Sequence, residues 1–271
     1  MLAFAANSVL NRMAVGAGQI DPVAYAVIRL AAGAFMLGLL VVGRRILHDG
    51  AVWPGWQGRI AGVAGLLGYL FGFSAAYLTL DAGIGALILF GSVQITMFAG
   101  ALVAGEAVPR TRWAGAVLAF AGLLVLVAPG SDIGAVGSVA AMVVAGIGWG
   151  IYSLAGREVV DPLLATAANF LLGLPFAVGI GLFLAPGHMP LPLGIGLAIL
   201  SGAMTSGLGY ALWYSVVPQL GAARAGVAQL TVPMLAAGAG AVWLGEGIGL
   251  RFIVASALVL GGVTLASFAK R

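Results

Sequence analysis

The sequence predicts an all-α integral membrane protein of ten transmembrane helices, arranged as two inverted five-helix repeats. The first observation behind this prediction is the composition. Of the 271 residues, 62% are hydrophobic and 7% are charged, and the mean hydropathy is +1.14. A soluble protein carries about 25% charged residues because its surface faces water. Nearly all of the surface of this chain must therefore tolerate hydrocarbon.

The second observation is a set of sequence landmarks that recur at one constant offset, which indicates a duplicated unit. The recurring pairs are Asp21-Pro22 with Asp161-Pro162, Leu80 with Leu220, Ala82 with Ala222, Gly105-Glu106 with Gly245-Glu246, and Gly122 with Gly262. An odd number of spans in each unit inverts the second copy in the membrane, as in many secondary transporters. The predicted repeats cover residues 1–130 and 131–271, and this arrangement indicates a carrier.

The third observation is the number of apolar stretches. A helix that crosses about 30 Å of hydrocarbon needs roughly 20 apolar residues, and the chain offers ten candidates. They cover residues 2–16, 22–43, 58–80, 83–104, 111–128, 136–156, 161–184, 192–217, 222–244 and 249–268. The connections are short, so we expect no separate soluble domain. The first stretch lacks the basic n-region of a signal peptide, so we do not expect one.

The basic residues of the predicted loops indicate the orientation, because cytoplasmic loops carry an excess of Lys and Arg. With a cytoplasmic N-terminus, the outer side receives only Arg12 and Arg251. The inner side receives Arg44, Arg45, Arg59, Arg110, Arg112, Arg157, Arg224, Lys270 and Arg271. We therefore expect a multi-pass protein of the plasma membrane, a bacterial inner membrane, with both termini in the cytoplasm.

Several functional classes are excluded by the residues present. The chain has no cysteine, its basic residues are spread singly along the sequence, and both histidines, His48 and His188, lie in predicted loops. A nucleic-acid reader would cluster its basic residues, and a metal enzyme would pair His with Glu on a helix. No metal, cofactor, nucleic acid or enzymatic activity is expected. The expected partners are a small-molecule substrate and the lipid bilayer, with the chain a monomer or a weak homodimer.

The order of the landmarks resembles the EamA branch of the drug/metabolite transporter superfamily. Each half has an aromatic-small start, an Asp-Pro that opens the second span, a Gly-Glu after the fourth and a Gly-rich fifth span. The residues that carry the resemblance include Phe4-Ala5-Ala6-Asn7, Trp149-Gly150, Leu212-Trp213-Tyr214 and Gly221-Ala222-Ala223-Arg224-Ala225. The resemblance implies a ten-helix carrier of small metabolites, usually an exporter, similar to amino acid exporters of the YddG type. It also implies a central cavity lined by the first four helices of each half, with the fifth helices at the periphery.

Amide side chains are the first candidates for contact with a substrate. Asn7 and Asn11 lie four residues apart and share one helix face, while Gln94 and Gln229 are mid-helix amides in corresponding spans of the two halves. A buried amide needs hydrogen bonds, which either a neighbouring helix or a ligand can supply. Both interpretations stay open. Pro233 predicts an interruption of the ninth helix close to Gln229.

Aromatic side chains are the second set of candidates. Trp149 and Tyr152 are three residues apart on the sixth span, and Tyr210, Trp213 and Tyr214 repeat this spacing on the eighth. Such a face can hold an apolar or aromatic ligand, with hydroxyl groups free to bond. The alternative is the aromatic belt at the membrane surface. Trp149 and Tyr210 lie nearest the middle of their spans and are the stronger candidates.

Arg29 is the charged residue that lies well inside a span, and its repeat partner is Asn169. A guanidinium matches a carboxylate or a phosphate, so both positions are candidates for an anionic group of the substrate. The alternatives for Arg29 are that it reaches the outer headgroups or that it pairs with Asp21.

The acidic residues indicate how transport is driven. No span has a carboxylate near its centre, and Glu106 and Glu246 precede the fifth and tenth spans, where the helix dipole favours them. A proton antiporter needs a titratable group that alternates between the two sides. The sequence therefore predicts facilitated diffusion or exchange of a small neutral or zwitterionic metabolite, such as an amino acid, by alternating access. The first, third, fourth, sixth, eighth and ninth spans are expected to converge on the site. The alternative is a channel or a membrane interaction protein that transports nothing.

Overall fold

The regular elements of the computed structural model are helices throughout the part of the chain that it describes. That part covers residues 1–47, 55–106, 108–128, 135–157, 159–184, 189–213, 215–216, 219 and 228–267. We label the helices α1 Leu2–Asn11, α2 Pro22–Leu47, α3 Arg59–Ala76, α4 Ala82–Val103, α5 Arg110–Val127, α6 Val136–Ala155, α7 Pro162–Leu184, α8 Pro192–Trp213, α9 Thr231–Leu244 and α10 Leu250–Ser267.

Eight of these helices are long and apolar enough to cross a membrane, among the residues that the structure describes. The other two are α1 and α9. A π-helical segment, Arg12–Gly16, continues α1 to the end of the predicted first span. The predicted ninth span begins at residues 222–227, which lie outside the described residues, and α9 covers the part of it from Thr231 to Leu244. The membrane-protein class is thus confirmed, while the count of ten transmembrane helices stays a prediction.

One helix end differs from its predicted span for an identifiable reason. The third span was expected to reach residue 80, but α3 ends at Ala76. The Arg12 guanidinium donates hydrogen bonds to the carbonyl oxygens of Tyr77 and Leu78, at 3.3 and 3.2 Å. These bonds satisfy carbonyl groups beyond the helix end, so the chain can turn there towards α4.

Proline shapes two of the helices. Leu230 is a turn residue that separates the helical residue Gln229 from α9, and this is the interruption that Pro233 predicts. Pro175 lies inside α7, within the single span that the sequence predicts over residues 161–184. A proline within a helix removes one backbone hydrogen bond, so in a membrane its neighbours must satisfy the freed carbonyl.

Glycine lets two pairs of helices approach until their backbones touch. A Cβ atom added to Gly65 of α3 would lie 2.6 Å from the carbonyl oxygen of Gly148 in α6. A Cβ atom on Gly115 of α5 would lie 2.4 Å from the carbonyl oxygen of Gly262 in α10. In a membrane such close packing replaces the hydrophobic effect as the force that associates helices. These glycines therefore serve helix packing.

The helices form an inner group and a peripheral pair. Within the inner group, α3 and α4 pack on α6, α2 packs on α7 and α8, and α1 packs on α8 and α9. The α5–α10 pair packs tightly on itself and meets the inner group through α4. This places the fifth helix of each half at the edge of the bundle, as the family resemblance implies.

The α3–α6 contact gives a test of this packing. We expect Gly65→Ala to lower the free energy of unfolding by about 1–3 kcal/mol, the usual effect of overpacking a close contact, because the new methyl group meets backbone atoms. Gly38→Ala is the matched control. A Cβ atom on Gly38 of α2 meets nothing within 4 Å. Alanine also lowers the conformational entropy of the unfolded chain, so this variant should be as stable as the parent or more stable. Thermal unfolding in detergent measures both, and equal stability of the two variants would contradict the packing argument.

Candidate functional site

A cavity of about 360 Å³ lies at the centre of the inner group of helices. We call it the central cavity. The residues that line it come from α1, α3, α4, α6 and α8 and from the helical residue just before the turn that precedes α9. These correspond to the spans that were expected to converge on the site. The lining residues are Phe4, Asn7, Ser8, Tyr69, Phe73, Leu89, Phe90, Trp149, Tyr210 and Gln229. The wall is thus mainly aromatic and apolar, with a few polar groups, which is the usual character of a small-molecule site.

Trp149 is the centre of the aromatic wall. Its ring lies 4.9 Å from that of Tyr69 and 5.2 Å from that of Tyr210, measured between centroids. Tyr152 stacks on its other side at 5.2 Å with an interplanar angle of 23°. All four rings are buried. Trp149 and Tyr210 therefore lie in the cavity wall and not in an interfacial belt, and the preference for these two among the aromatic candidates agrees with the geometry.

The two asparagines of α1 serve different contacts. Asn7 lines the central cavity, and its Oδ1 accepts a hydrogen bond from Ser201 Oγ at 2.7 Å and another from Thr205 Oγ1. Its buried Nδ2 has no partner in the structure. Asn11 does not line the cavity, and its Nδ2 donates to Ser74 Oγ at 3.3 Å. Asn7 therefore combines helix contact with a free donor, whereas Asn11 connects α1 to α3.

Arg29 is completely buried in the middle of the bundle. Its Nη2 donates to the Tyr69 hydroxyl at 2.8 Å and its Nε donates to Ser206 Oγ at 3.1 Å, while its Nη1 has no partner. The guanidinium carbon lies 5.1 Å from the ring centroids of both Tyr69 and Phe73. The two alternatives considered for Arg29, contact with headgroups and pairing with Asp21, are therefore wrong. The positive charge lies directly behind two residues of the cavity wall.

A second cavity, of about 320 Å³, lies between the start of α3, the end of α6 and the start of α7. Asn169 belongs here and not to the central cavity. Its Oδ1 accepts a hydrogen bond from Arg59 Nη1 at 2.9 Å. Tyr152 also lines this cavity, and its hydroxyl donates to Thr166 Oγ1 at 3.2 Å. Arg29 and Asn169, which are equivalent positions of the predicted repeat, thus lie at different sites.

The remaining candidates divide in the same way. Gln229 lines the central cavity, whereas Gln94 is half-buried in α4 and contributes nothing to the wall of either cavity. Trp213 packs against Phe4 at 5.9 Å, one layer behind the wall. Tyr214 lies outside the described residues. The prediction that Gln94 faces the cavity is wrong. The helical periodicity of a sequence does not reveal which face of a uniformly apolar helix meets the interior.

Several lining residues were not singled out from the sequence. Tyr69 and Phe73 are four residues apart on α3 and form one aromatic face, a signal equal to that of Trp149 and Tyr152. Phe4, Ser8, Leu89 and Phe90 carry no such signal, because apolar residues are common throughout the chain. Arg59 was counted as a loop residue, and only the structure shows that it is buried.

Arg12 ties together the end of the bundle at which α1 finishes, which we call the Arg12 end. Its Nε donates to Glu246 Oε1 at 3.3 Å, and Asp81 lies 3.8 Å from Nη2. The other oxygen of Glu246 accepts from the backbone N–H of Ala82 at 2.8 Å. Burial raises the pKa of Glu246, and the neighbouring Asp81 raises it further against the opposing effect of Arg12 and the Ala82 N–H. These contacts join α1, α4 and the loop before α10 on one side of the central cavity.

The opposite end of the bundle, the Arg44 end, carries a different set of ion pairs. Arg44 forms a two-fold hydrogen-bonded pair with Asp161 between α2 and α7. Burial raises the pKa of Asp161, but the hydrogen bonds from Arg44 and from the Leu164 and Leu163 N–H groups outweigh this and hold the pKa below its usual value. Arg157 donates to Glu106 Oε1 at 3.0 Å, and both side chains are exposed. This end is therefore held by more solvated contacts.

The structure gives no candidate metal site among the described residues, since no group of three His, Asp or Glu side chains comes together there.

A mainly aromatic cavity with a few polar groups, enclosed by apolar helices of membrane-spanning length, indicates a multi-pass membrane protein with a transporter fold. The chain belongs to the EamA-like transporter family, whose model matches residues 1–128 and again residues 136–268. This confirms the family resemblance. The likeness to exporters of the YddG type and the division into two domains at residue 130 stay predictions.

Two individual similarities agree with this assignment. An uncharacterized protein of Pseudomonas aeruginosa, PA1977, is 44% identical over 266 residues, which cover 98% of this chain and 91% of that protein. A protein of known crystal structure is 18% identical to this chain and superposes on it with a TM-score of 0.69 over 98% of this chain and 97% of the other. The second similarity concerns the fold alone.

The contacts of Glu246 at the Arg12 end predict how the stability of the protein depends on pH. A raised carboxylate pKa means that the folded protein holds this proton more tightly than the unfolded chain, so stability falls as the pH rises from the unfolded pKa through the folded pKa. We expect Arg12→Gln to strengthen this fall, because it leaves the Glu246 carboxylate without its cation. The free energy of unfolding should drop by about 1–3 kcal/mol at neutral pH, and by less at pH 4, where Glu246 is protonated.

Thermal unfolding from pH 4 to pH 8 measures this effect. Arg12→Gln/Glu246→Gln is the matched control, since it removes both charges and should restore part of the loss at neutral pH. An equal loss at both ends of the pH range would contradict the coupling between these two side chains.

Proposed function

We propose that this protein is a secondary transporter, an exporter or exchanger, of small neutral or zwitterionic metabolites such as amino acids. The observation that carries the proposal is the central cavity, in which an aromatic wall and two amide side chains surround a space of about 360 Å³. The wall can hold an apolar side chain while its polar groups bind the charged end of the same molecule.

The distribution of polar groups supports a zwitterionic cargo. Asn7 Nδ2 is a buried donor without a partner. The Tyr69 hydroxyl accepts a hydrogen bond from Arg29 and shares another with the Tyr210 hydroxyl, so this pair of hydroxyls has one proton left to donate. A donor that is polarised by a guanidinium suits a carboxylate. Trp149 and Tyr210 present π-faces, which attract an ammonium group or stack on an aromatic side chain.

The arrangement of contacts supports alternating access. In the two predicted repeats, α3 is equivalent to α8 and α6 is equivalent to α1. The α3–α6 contact is therefore equivalent to the α1–α8 contact, and the structure contains both. The repeat also relates Glu246 at the Arg12 end to Glu106 at the Arg44 end, and each of these carboxylates pairs with an arginine that follows the first helix of a half. Two related clusters on opposite sides of one cavity are what a carrier with inverted repeats requires.

We propose further that transport is by facilitated diffusion or exchange. In the described part of the chain, no carboxylate lines the central cavity, and Glu246, whose pKa is raised, lies at the Arg12 end in contact with Arg12. A group placed there can respond to pH without carrying a proton across the membrane. The plasma membrane, with both termini in the cytoplasm, remains the proposed location, so that the Arg12 end faces outward.

Counterflow in proteoliposomes tests the proposed function. We expect saturable exchange of one class of labelled amino acid, screened with Phe, Trp, Thr and Met, and the same rate with and without a pH gradient. Trp149→Ala should lower exchange at least about tenfold, because removing a buried aromatic contact costs more than about 1.4 kcal/mol. Trp113→Ala is the matched control, since Trp113 of the peripheral helix α5 packs on Phe98 of α4 and lies outside the cavity.

Three outcomes would count against the proposal. An equal loss of exchange in both tryptophan variants would mean that the central cavity is not the substrate site. Flux that does not saturate would indicate a channel. Concentrative uptake driven by a pH gradient would contradict exchange without proton coupling.

The proposed orientation can be tested with single cysteines, because the chain contains none of its own. Ala17 is exposed at the Arg12 end and Arg110 is exposed at the Arg44 end. We expect a membrane-impermeant maleimide to label Ala17→Cys in intact cells, and to label Arg110→Cys only after the membrane is permeabilised. The reverse pattern would mean that the chain is inserted with its termini outside.

A further inference from the structure

The second cavity has a feature that the central cavity lacks, which is an arginine in its wall. Arg59 is the first residue of α3, and only 3% of its surface is exposed. It lies in this cavity with Tyr152, Thr166 and Asn169. Gly58, directly before it, has φ +72°, a backbone conformation that favours glycine, and this lets the chain pass close to the carbonyl oxygen of Ala155. The local backbone thus brings the guanidinium under the end of α6.

The hydrogen bonds of Arg59 leave part of its guanidinium unused. Nη1 donates to the carbonyl oxygen of Ala165 at 2.8 Å and to Asn169 Oδ1 at 2.9 Å. Nε is buried and has no partner. No carboxylate lies within ion-pair distance of Arg59 among the described residues. A buried cation with a free donor is costly unless another group satisfies it.

The other polar groups of this cavity favour an anion. Asn169 uses its oxygen towards Arg59, so its amide nitrogen remains as a donor. Thr166 donates its own proton to the carbonyl oxygen of Pro162 and accepts the proton of Tyr152. The residues that line the cavity include no acid. Its open hydrogen-bonding capacity is therefore that of donors beside a positive charge, which is complementary to a carboxylate.

The geometry points to a carboxylate-binding subsite at Arg59 and Asn169, through which the cargo passes between the Arg44 end and the central cavity. We propose this subsite as a refinement of the proposed function, on which it rests. Tyr152 connects the two cavities, because its hydroxyl lies in the second cavity while its ring stacks on Trp149 in the wall of the first. Arg59 and Arg29 would then present guanidinium groups on either side of the aromatic wall. Cargo without a carboxylate group would not be held at this position.

Equilibrium binding separates this subsite from transport. We would titrate the protein in nanodiscs of zwitterionic lipid with benzoate and with benzamide, its neutral counterpart, by calorimetry. Wild type should bind benzoate and not benzamide. Arg59→Gln should weaken benzoate binding at least about tenfold, because it removes a charge-assisted hydrogen bond. Arg110→Gln is the matched control, since Arg110 is exposed at the same end of the bundle.

Asn169→Ala provides a second variant in case Arg59→Gln does not fold, and it should also weaken benzoate binding. The inference would be overturned if Arg59→Gln and Asn169→Ala bind benzoate like wild type, or if Arg29→Gln alone loses binding. It would also be overturned if phosphatidylglycerol in the nanodisc, and not benzoate, stabilised wild type over Arg59→Gln, because the site would then hold a lipid phosphate.

Counterflow with the same variants in proteoliposomes distinguishes the two proposals. Binding of benzoate that depends on Arg59, without exchange of any amino acid, would support the subsite and contradict the proposed cargo. Exchange that is lost in Trp149→Ala, together with benzoate binding that ignores Arg59, would support the transporter and contradict the subsite.

Discussion

The buried guanidinium of Arg29 joins three helices from both halves of the chain at the level of the central cavity. It contacts Tyr69 of α3 and Ser206 of α8 from its own position in α2. A charge in a membrane interior is costly unless its surroundings satisfy it, so these contacts must form together. They hold two aromatic residues of the cavity wall, Tyr69 and Phe73, against the positive charge. The electrostatic character of the site follows from this one residue, although its side chain does not line the cavity.

Close helix packing is the second condition for the site. Gly65 and Gly148 bring α3 and α6 into backbone contact, and this places Tyr69 beside Trp149. A π-helical segment, Ser201–Leu208, directs Ser201, Thr205 and Ser206 of α8 towards Asn7 and Arg29. Such segments widen one turn of a helix and are frequent at functional sites. The packing and the irregular turns together determine which side chains of these apolar helices meet.

The two ends of the bundle differ in how firmly they are held. At the Arg12 end, an arginine and a largely buried glutamate are tied to backbone groups of α4 and of the turn before it. At the Arg44 end, the related glutamate and its arginine are exposed. Exposed ion pairs contribute little to stability. In the alternating-access cycle that we propose for this protein, this difference would correspond to a state in which the Arg12 end is closed.

The sequence by itself determined the membrane class, the family and most helix bounds, because these depend on composition, length and the constant offset between landmarks. It also identified Asn7, Trp149, Tyr210 and Gln229, which are polar or aromatic residues near the middle of apolar spans. Only the tertiary structure decided that Gln94 lies away from the cavity, that Asn169 belongs to a separate one, and that Arg59 is buried. The physical reason is that membrane helices are apolar on all sides, so periodicity does not reveal their inner face. That face depends on where glycine backbones touch and where a buried charge finds its partners.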